Sequence, residues 1–350
     1  MKQRNATVDY IRGIAILLVI IGHTVSNNGI ADYSGSGLYR VIFALQMPLF
    51  MLVSGYVTVY SKPIESAGML GSFIGRRSLG YLLPWTVWTV FRGFAFGGWA
   101  IGNIKSKLLS LLWNMDSGYW FLFSLWTICI VWGISSFFAN KLTAKKFLRV
   151  VFCTAFSMLL AMLLLLVGIK AGITFLNIKL TLYYIPYFFL GYIFASFSTD
   201  IRAKKYYKSI ESIVVAASFV IFVCLSLRFN VATSGETVIE IATRIICSLT
   251  GCISLIYFAS RFYEDFKTCS FAEKFNSVTV TAGKESLGLY LIHYLFLNVI
   301  RLPEGMSIYS FDAFAVSLLN FLITLLLSAA VIYIIDNNDK LKLILLGKRR

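Results

Sequence analysis

Ten long apolar stretches, separated by short polar segments, follow one another along the 350 residues of the chain. Each stretch is close to the roughly 20 mostly apolar residues that an α-helix needs to cross a hydrocarbon core about 30 Å thick. The pattern therefore predicts an all-α fold, a polytopic bundle of about ten transmembrane helices. The predicted spans cover residues 11–29, 39–60, 78–100, 118–138, 150–168, 180–198, 209–227, 240–260, 286–301 and 312–335.

The amino-acid composition indicates that lipid, rather than water, surrounds most of the chain. Hydrophobic residues make up 58% of it and charged residues 14%, against about 45–50% and about 25% in soluble domains. Helices in a bilayer direct apolar side chains outward, whereas a soluble globule of this composition has too little polar surface to cover itself. Because no polar block is long enough for a soluble domain, we expect one transmembrane domain over residues 1–350.

Lys and Arg outnumber Asp and Glu by 32 to 16, and their positions carry information about topology. If the N-terminus is cytoplasmic, 23 of the 32 basic residues fall in segments on the inner side of the membrane. This excess is typical of cytoplasmic loops and predicts that both termini are cytoplasmic. The basic residues form short clusters between apolar stretches, without a basic tail or basic amphipathic helix, so we expect no nucleic-acid partner.

The residue types that bind metals or form disulfides are few and scattered. The six cysteines show no CxxC spacing, and we expect them to be small apolar packing residues. Both histidines, His23 and His293, lie inside apolar stretches without carboxylates at ligand spacing. No metal site is therefore expected.

The first predicted span carries two side chains that are costly at membrane depth, Arg12 and His23. Ionisable groups there cost roughly 2.5–3.5 kcal/mol on insertion scales, which makes them functional candidates. Eleven residues of α-helix place the two on one face, about 20° apart and roughly 16 Å along the axis. This suits a ligand with an anionic head and a reactive tail, such as acyl-coenzyme A. Alternatively, the pair is a topology anchor and a helix-packing histidine.

Other polar and aromatic residues are candidates for ligand binding, each with a structural alternative. Arg76 and Arg77, at the inner end of the third span, can hold a nucleotide phosphate or act as topology charges. Tyr119 and Trp120 can stack on a sugar ring or belong to an interfacial aromatic belt. The substrate-binding candidates within the apolar stretches, where polar residues also serve helix packing, are Ser54, Ser286 and His293.

Five segments of the chain, taken in order, are similar to those of a known family. They are DYIRGIAILLVIIGH (9–23), MPLFMLVSGY (47–56), RRSLGYLLPW (76–85), YWFL (119–122) and SLGLYLIH (286–293). The first is the most specific, since its arginine and histidine are separated by ten residues. On these segments the chain resembles the acyltransferase family 3 membrane proteins, which include polysaccharide O-acetyltransferases and fucose 4-O-acetylase-like proteins.

The resemblance implies a ten-helix protein of the bacterial plasma membrane that takes an acyl group, most commonly acetyl, from cytoplasmic acyl-coenzyme A. It also implies that the acceptor is a hydroxyl of a cell-surface or lipid-linked glycan. Carried over by position, Arg12 and His23 are the catalytic pair, and Arg12, Arg76 and Arg77 bind the coenzyme A donor. Gly80 stands where the family often has a further arginine, which weakens the phosphate assignment.

For the chemistry, we expect His23 to act as general base on the acceptor hydroxyl, which then attacks the thioester carbonyl. A covalent acyl-histidine relay is a variant that the sequence leaves open. Two other classes also stay open. One is a transporter or flippase of a lipid-linked sugar, and the other is a scaffold protein in which Arg12 and His23 are structural.

Overall fold

The computed structural model describes residues 5–115, 119–230, 237–266 and 270–348. Over these ranges the chain forms fourteen α-helices and no β-strand; an isolated β-bridge joins Ile30 to Met306. The helices are α1 (Ala6–Ser26), α2 (Gly37–Thr58), α3 (Ala67–Arg77), α4 (Leu83–Phe96), α5 (Ile104–Leu111), α6 (Trp120–Leu142), α7 (Lys146–Ala171), α8 (Ile178–Arg202), α9 (Tyr207–Arg228), α10 (Val238–Phe266), α11 (Ser270–Lys284), α12 (Ser286–Ile292), α13 (Phe311–Asp336) and α14 (Asp339–Leu346).

The all-α, polytopic fold predicted from the sequence is confirmed. Within the described ranges, eight helices are long and apolar enough to cross a membrane. They are α1, α2, α6, α7, α8, α9, α10 and α13, and each coincides with a predicted span. The placement of both termini in the cytoplasm stays a prediction.

The third predicted span, 78–100, differs from the structure at both ends. Its first residues form a π-helical turn, Ser78–Leu82, that joins α3 to α4 without a break. Pro84 has no N–H to donate to the carbonyl one turn earlier, and its ring clashes with that carbonyl in a regular α-helix, so a wider π turn relieves the conflict. The span ends early because the backbone of Gly98 is left-handed, with φ of 64°.

The ninth predicted span, 286–301, is a helix over only part of its length. After α12 the chain makes one 3-10 turn, His293–Leu295, and then leaves the helix. Side chains of α13 bind the backbone groups that this break releases. Asn320 accepts from the Ile300 N–H at 2.9 Å and donates to the Ile300 carbonyl at 2.8 Å. Irregular backbone of this kind is tolerated in a membrane protein where other helices satisfy it.

The chain is divided into two compact units, and three helices contribute to both. The first unit contains residues 1–53 and 198–334, and the second contains residues 54–197 and 335–350. The expectation of one transmembrane domain over the whole chain stays a prediction.

Within the first unit, α1 and α11 cross with their backbones in contact. A Cβ atom at Gly13 would overlap the carbonyl group of Thr279, and one at Gly283 would overlap the carbonyl group of Asp9. Small residues at a crossing allow this close approach, which is a common way to pack helices in membranes. The crossing fixes the position of the polar residues on α1.

Two loops of the first unit bind each other just beyond α1. The Gly29 carbonyl accepts from the Gly305 N–H at 3.0 Å. The Asp32 carboxylate accepts from the Ile308 N–H at 2.8 Å and from the Ser307 hydroxyl at 3.0 Å. We call this pairing of the loop after α1 with the loop before α13 the loop clasp. It fixes the chain that leaves α1.

Within the second unit, the short helix α14 packs on α4. The Trp88 indole N–H donates to the Leu345 carbonyl at 2.9 Å. Gly347 ends α14 in the left-handed conformation, with φ of 62°, and lies against the backbone of Gly80. Position 80, where the resembling family often has an arginine, therefore contacts the end of α14 in this protein.

Candidate active site

His23 lies in the last turn of α1, half-buried, beside two residues that are distant in sequence. The hydroxyl of Tyr294, 271 positions away, is 3.1 Å from Nε2 and 3.4 Å from Nδ1 of His23. The ring centroids of His23 and His293 are 5.3 Å apart. We call these three residues the histidine cluster. In this cluster a hydroxyl lies within hydrogen-bond distance of an imidazole, a group that can accept a proton.

His293 is the most buried member of the histidine cluster, with an exposed fraction of 0%. Its Nδ1 lies 3.0 Å from the Leu289 carbonyl, one turn earlier in α12. A carbonyl only accepts, so Nδ1 carries the proton and Nε2 is the acceptor nitrogen of the neutral ring. The sequence predicted a substrate contact for His293. The structure places it against His23 and Tyr294, and that contact stays a prediction.

Arg12 lies on the same continuous helix as His23 and is held by a buried carboxylate. Its Nη1 is 4.0 Å from Oδ1 of Asp9, whose side chain is 2% exposed against 25% for Arg12. A buried carboxylate is costly unless a cation balances it. Asp9 therefore helps to position the guanidinium of Arg12, which keeps part of its surface accessible.

A buried amide on α11 lies next to the helix that carries Arg12 and His23. Asn276 is 4% exposed, and neither its Nδ2 nor its Oδ1 has a hydrogen-bond partner among the described residues. On α11, Gly283 meets Asp9 and Thr279 meets Gly13. Because the register is antiparallel, Asn276 belongs to the next turn, on the His23 side of Gly13. It adds an unsatisfied polar group beside α1.

Three cations of the second unit line one cavity of about 490 Å³. Lys62, Arg76 and Arg77 contribute to its wall together with Ser61 and Phe73. Converging cations suit a phosphate-bearing ligand, which guanidinium groups bind in a bidentate manner. We call it the cation cavity.

Arg77 is held in place within the cation cavity. Its Nη1 donates to the Tyr81 hydroxyl at 3.2 Å, and its guanidinium lies 5.2 Å from the centre of the Phe73 ring. Arg76 is exposed. A guanidinium that is already oriented loses less conformational entropy when it binds an anion. From the sequence, Lys62 is only one of the basic residues predicted on the cytoplasmic side of the membrane. A lysine in a short loop does not indicate which other residues it will lie beside in the folded chain.

The two aromatic candidates of the second unit have different environments. Tyr119 is 1% exposed, and the Arg92 guanidinium lies 6.0 Å from the centre of its ring. Trp120 is half-buried and stacks on Tyr184, with ring centroids 5.3 Å apart. Trp120 therefore has more free surface for a sugar ring than Tyr119, and substrate binding by either stays a prediction.

The two serine candidates lie where helices begin or pack closely. Ser54 is followed by Gly55, where a Cβ atom would overlap the carbonyl group of Phe188. Ser286 is half-buried and begins α12, about 10 Å along the helix from His293. Neither position is tested by the geometry alone, and both stay predictions.

Side chains able to bind a metal ion do not gather in the part of the chain that the structure describes. Over those residues, no three His, Cys, Asp or Glu side chains come together as a ligand group.

Comparisons with known proteins give this geometry a context. A protein-family model described as an acyltransferase domain matches residues 5–336. The chain is 29% identical over 207 residues to Nodulation protein NolL of Sinorhizobium fredii, covering 55% of this chain and 50% of that protein. It is 28% identical over 205 residues to Nodulation protein NolL of Mesorhizobium japonicum, covering 55% and 48%. The match thus spans about half the length of these curated relatives. No solved structure matches the chain.

Proposed function

This chain belongs to the acyltransferase 3 family, whose model covers nearly its whole length, and from that premise we propose that it is an O-acetyltransferase of the bacterial plasma membrane. The donor in this proposal is acetyl-coenzyme A, and the acceptor is a hydroxyl of a cell-surface or lipid-linked glycan. The observation that carries the proposal is the 3.1 Å contact between the Tyr294 hydroxyl and Nε2 of His23. A positioned imidazole with a hydroxyl partner is suited to proton transfer.

In the proposed reaction, His23 takes the proton from the acceptor hydroxyl as the hydroxyl oxygen attacks the thioester carbonyl. A new carbon–oxygen bond forms, the carbon–sulfur bond breaks, and the protonated imidazole returns its proton to the departing thiolate. Tyr294 steadies the imidazole through the transfer. His293 packs against both rings and limits their movement.

Two residues of the first unit are assigned to the donor's extended arm. Arg12, with its partly accessible guanidinium beside Asp9, is suited to an anionic or strongly polar group. Asn276 has a free amide donor and acceptor among the described residues, which matches the amide groups of a pantetheine chain. A ligand amide that binds there satisfies groups that are otherwise buried without partners.

Within the second unit, the cation cavity is proposed as a binding site for phosphate groups. Lys62, Arg76 and Arg77 supply three positive charges around one space, and charge-assisted hydrogen bonds to phosphate are roughly twice as strong as neutral ones. Binding of adenosine 3′,5′-bisphosphate tests this assignment without catalysis. Arg77→Gln should weaken it at least tenfold, whereas Lys141→Gln, at an exposed lysine of the same unit, should leave it unchanged.

The decisive experiment measures acetyl transfer by the purified protein in a lipid bilayer, with labelled acetyl-coenzyme A and candidate glycans. The wild type should move the label to the glycan, and His23→Ala should abolish transfer while the protein elutes as a folded species. Ser26→Ala, at a half-buried position in the same last turn, serves as the control and should stay active. Normal transfer by His23→Ala would overturn the assignment, and movement of the unmodified sugar across the bilayer would support a transporter instead.

A further inference from the structure

A second cavity, separate from the cations described above, lies within the second unit and is almost wholly apolar. Its volume is about 280 Å³. A cavity of about 150 Å³ in a protein core holds one benzene molecule, so this one has room for a hydrocarbon of roughly twelve carbons. Residues of α4, α5, α6 and two loops line it, among them Trp85, Thr89, Leu108, Leu111, Phe123 and Leu176.

One polar group of this apolar cavity, the Thr89 hydroxyl, has no hydrogen-bond partner in the described part of the chain. Thr89 is 5% exposed, and its hydroxyl makes no hydrogen bond with any described residue. The neighbouring Thr86 behaves differently, since its hydroxyl donates to the Leu82 carbonyl at 2.9 Å. An unsatisfied buried hydroxyl is unfavourable unless something else binds it. The cavity therefore suits a hydrocarbon chain that also carries one hydrogen-bond acceptor.

The cavity reaches the protein surface beside the amphipathic helix α5. Leu108 lines the cavity and is 43% exposed, and its neighbour Leu109 is 54% exposed. Trp113, just after the helix, is 45% exposed. Lys105 and Lys107 lie on the same short helix. Exposed Leu and Trp combined with Lys are typical of helices at a membrane surface, where lysines attract anionic headgroups.

We propose that this cavity binds one fatty-acyl chain of a phosphate-bearing membrane lipid. The chain occupies the apolar space, its ester or amide carbonyl accepts a hydrogen bond from Thr89, and Lys105 and Lys107 bind the phosphate. The apolar lining supplies affinity, and the hydroxyl and lysines fix the orientation. This lipid site is independent of the acetyl transfer proposed above, because it rests on no residue of the histidine cluster or the cation cavity.

Photocrosslinking tests the site directly. The protein, residues 1–350, is reconstituted with a trace of phosphatidylglycerol that carries a diazirine in one acyl chain. It is then irradiated, and the crosslinked positions are mapped by mass spectrometry. We expect crosslinks concentrated in residues 85–90 and 104–115, and competition by unlabelled phosphatidylglycerol. Leu111→Trp, which fills the cavity, should lower this labelling at least fivefold. Leu109→Trp, on the same helix but outside the cavity lining, should leave it unchanged.

Two variants with smaller structural changes test the lipid site if Leu111→Trp does not fold. Thr89→Val keeps the side-chain shape and removes the hydroxyl, so labelling should fall two- to threefold. The double variant Lys105→Gln, Lys107→Gln should lower labelling by phosphatidylglycerol more than labelling by phosphatidylcholine. Equal labelling in Leu111→Trp and Leu109→Trp would overturn the proposal, as would crosslinks spread evenly over the lipid-facing helices.

Discussion

At the scale of single residues, the proposed chemistry depends most on the contact between the Tyr294 hydroxyl and Nε2 of His23. Helical periodicity alone places Arg12 and His23 on one face, and α1 is a continuous helix over both. Tyr294, however, is 271 positions from His23. Nothing in the apolar pattern indicates which residue of another helix will meet the imidazole, because that depends on how the helices cross.

The Tyr294 hydroxyl should contribute to the reaction through its bond to His23. We expect Tyr294→Phe to lower kcat about fivefold, since a net hydrogen bond of roughly 1 kcal/mol corresponds to a change of about fivefold in rate. The KM for acetyl-coenzyme A should change little. Tyr39→Phe, at a partly buried tyrosine of the same unit, is the control. An unchanged kcat in Tyr294→Phe would mean that His23 works without this partner.

We predict that Asn276 contributes to ligand binding rather than to the stability of the fold. Because its amide has no hydrogen-bond partner among the described residues, Asn276→Leu should leave the thermal unfolding temperature unchanged or raise it. The KM for acetyl-coenzyme A should rise several-fold.

Asn320 is the matched control for this substitution, since it is also buried but bonds both backbone groups of Ile300. Asn320→Leu should destabilise the protein by about 1–3 kcal/mol. If Asn276→Leu destabilises as much, the amide has a structural role and the assignment to the donor arm is wrong.

At the scale of helices, length and apolarity were enough to find eight spans but not the breaks in the other two. A run of apolar residues looks the same whether the helix continues or ends. The breaks depend on local backbone, as at Gly98 and Asn298, whose φ values are 64° and 59°. Glycine is a weak sign of such a break and a single asparagine is weaker still, because both also occur inside helices.

The crossing of α1 and α11 should tolerate no added side-chain volume. Gly283→Ala places a Cβ atom on the carbonyl group of Asp9, so the helices must move apart, and we expect a loss of about 1–3 kcal/mol. Gly71→Ala is the control, because a Cβ atom at Gly71 on α3 meets nothing within 4 Å. That change should be neutral or stabilise by up to about 1 kcal/mol. Unfolding followed in detergent compares the two, and equal stability would contradict a backbone contact at the crossing.

The loop clasp should weaken in acid. Hydrogen bonds from the Ile308 N–H and, to a smaller extent, from the Ser307 hydroxyl lower the pKa of the Asp32 carboxyl from its ordinary value. A carboxyl with a lowered pKa in the folded state stabilises that state above its unfolded pKa, and this contribution is lost as the pH falls through the folded pKa. Protection of the Ile308 amide from hydrogen exchange should therefore decrease when the pH is lowered below about 4, the ordinary pKa of an aspartate side chain.

Asp32→Asn provides the comparison for the loop clasp. It should show low protection of the Ile308 amide at every pH, because a neutral amide oxygen is a weaker acceptor than a carboxylate. Protection that varies with pH to the same extent in both proteins would exclude Asp32 as the cause.

At the scale of the whole molecule, composition and charge predicted the membrane environment but not the division into two units. Low charge and high apolarity are properties of the entire chain, so the membrane environment can be predicted directly from the amino-acid composition. The unit boundaries fall inside α2, α8 and α13. The boundary in α2 lies between Val53 and Ser54 within an apolar helix, and the other two lie near the C-terminal ends of α8 and α13, so no linker marks them in the sequence.

The orientation in the membrane can be checked at two lysines. Positive charges concentrate on the cytoplasmic side, which predicts that position 62 is inside and position 105 outside. In a cysteine-free background, Lys105→Cys should react with a membrane-impermeant maleimide in intact cells, and Lys62→Cys only after permeabilisation. The reverse pattern would invert the topology and place the termini outside.

Through the non-helical segment after Tyr294, α13 influences the position of the tyrosine that contacts His23. Asn320 and Thr324 bind that segment through Ile300 and Phe296, so the position of Tyr294 depends on two buried polar side chains of α13. A substitution at either residue should therefore shift Tyr294 and slow the proposed proton transfer, although neither side chain belongs to the histidine cluster.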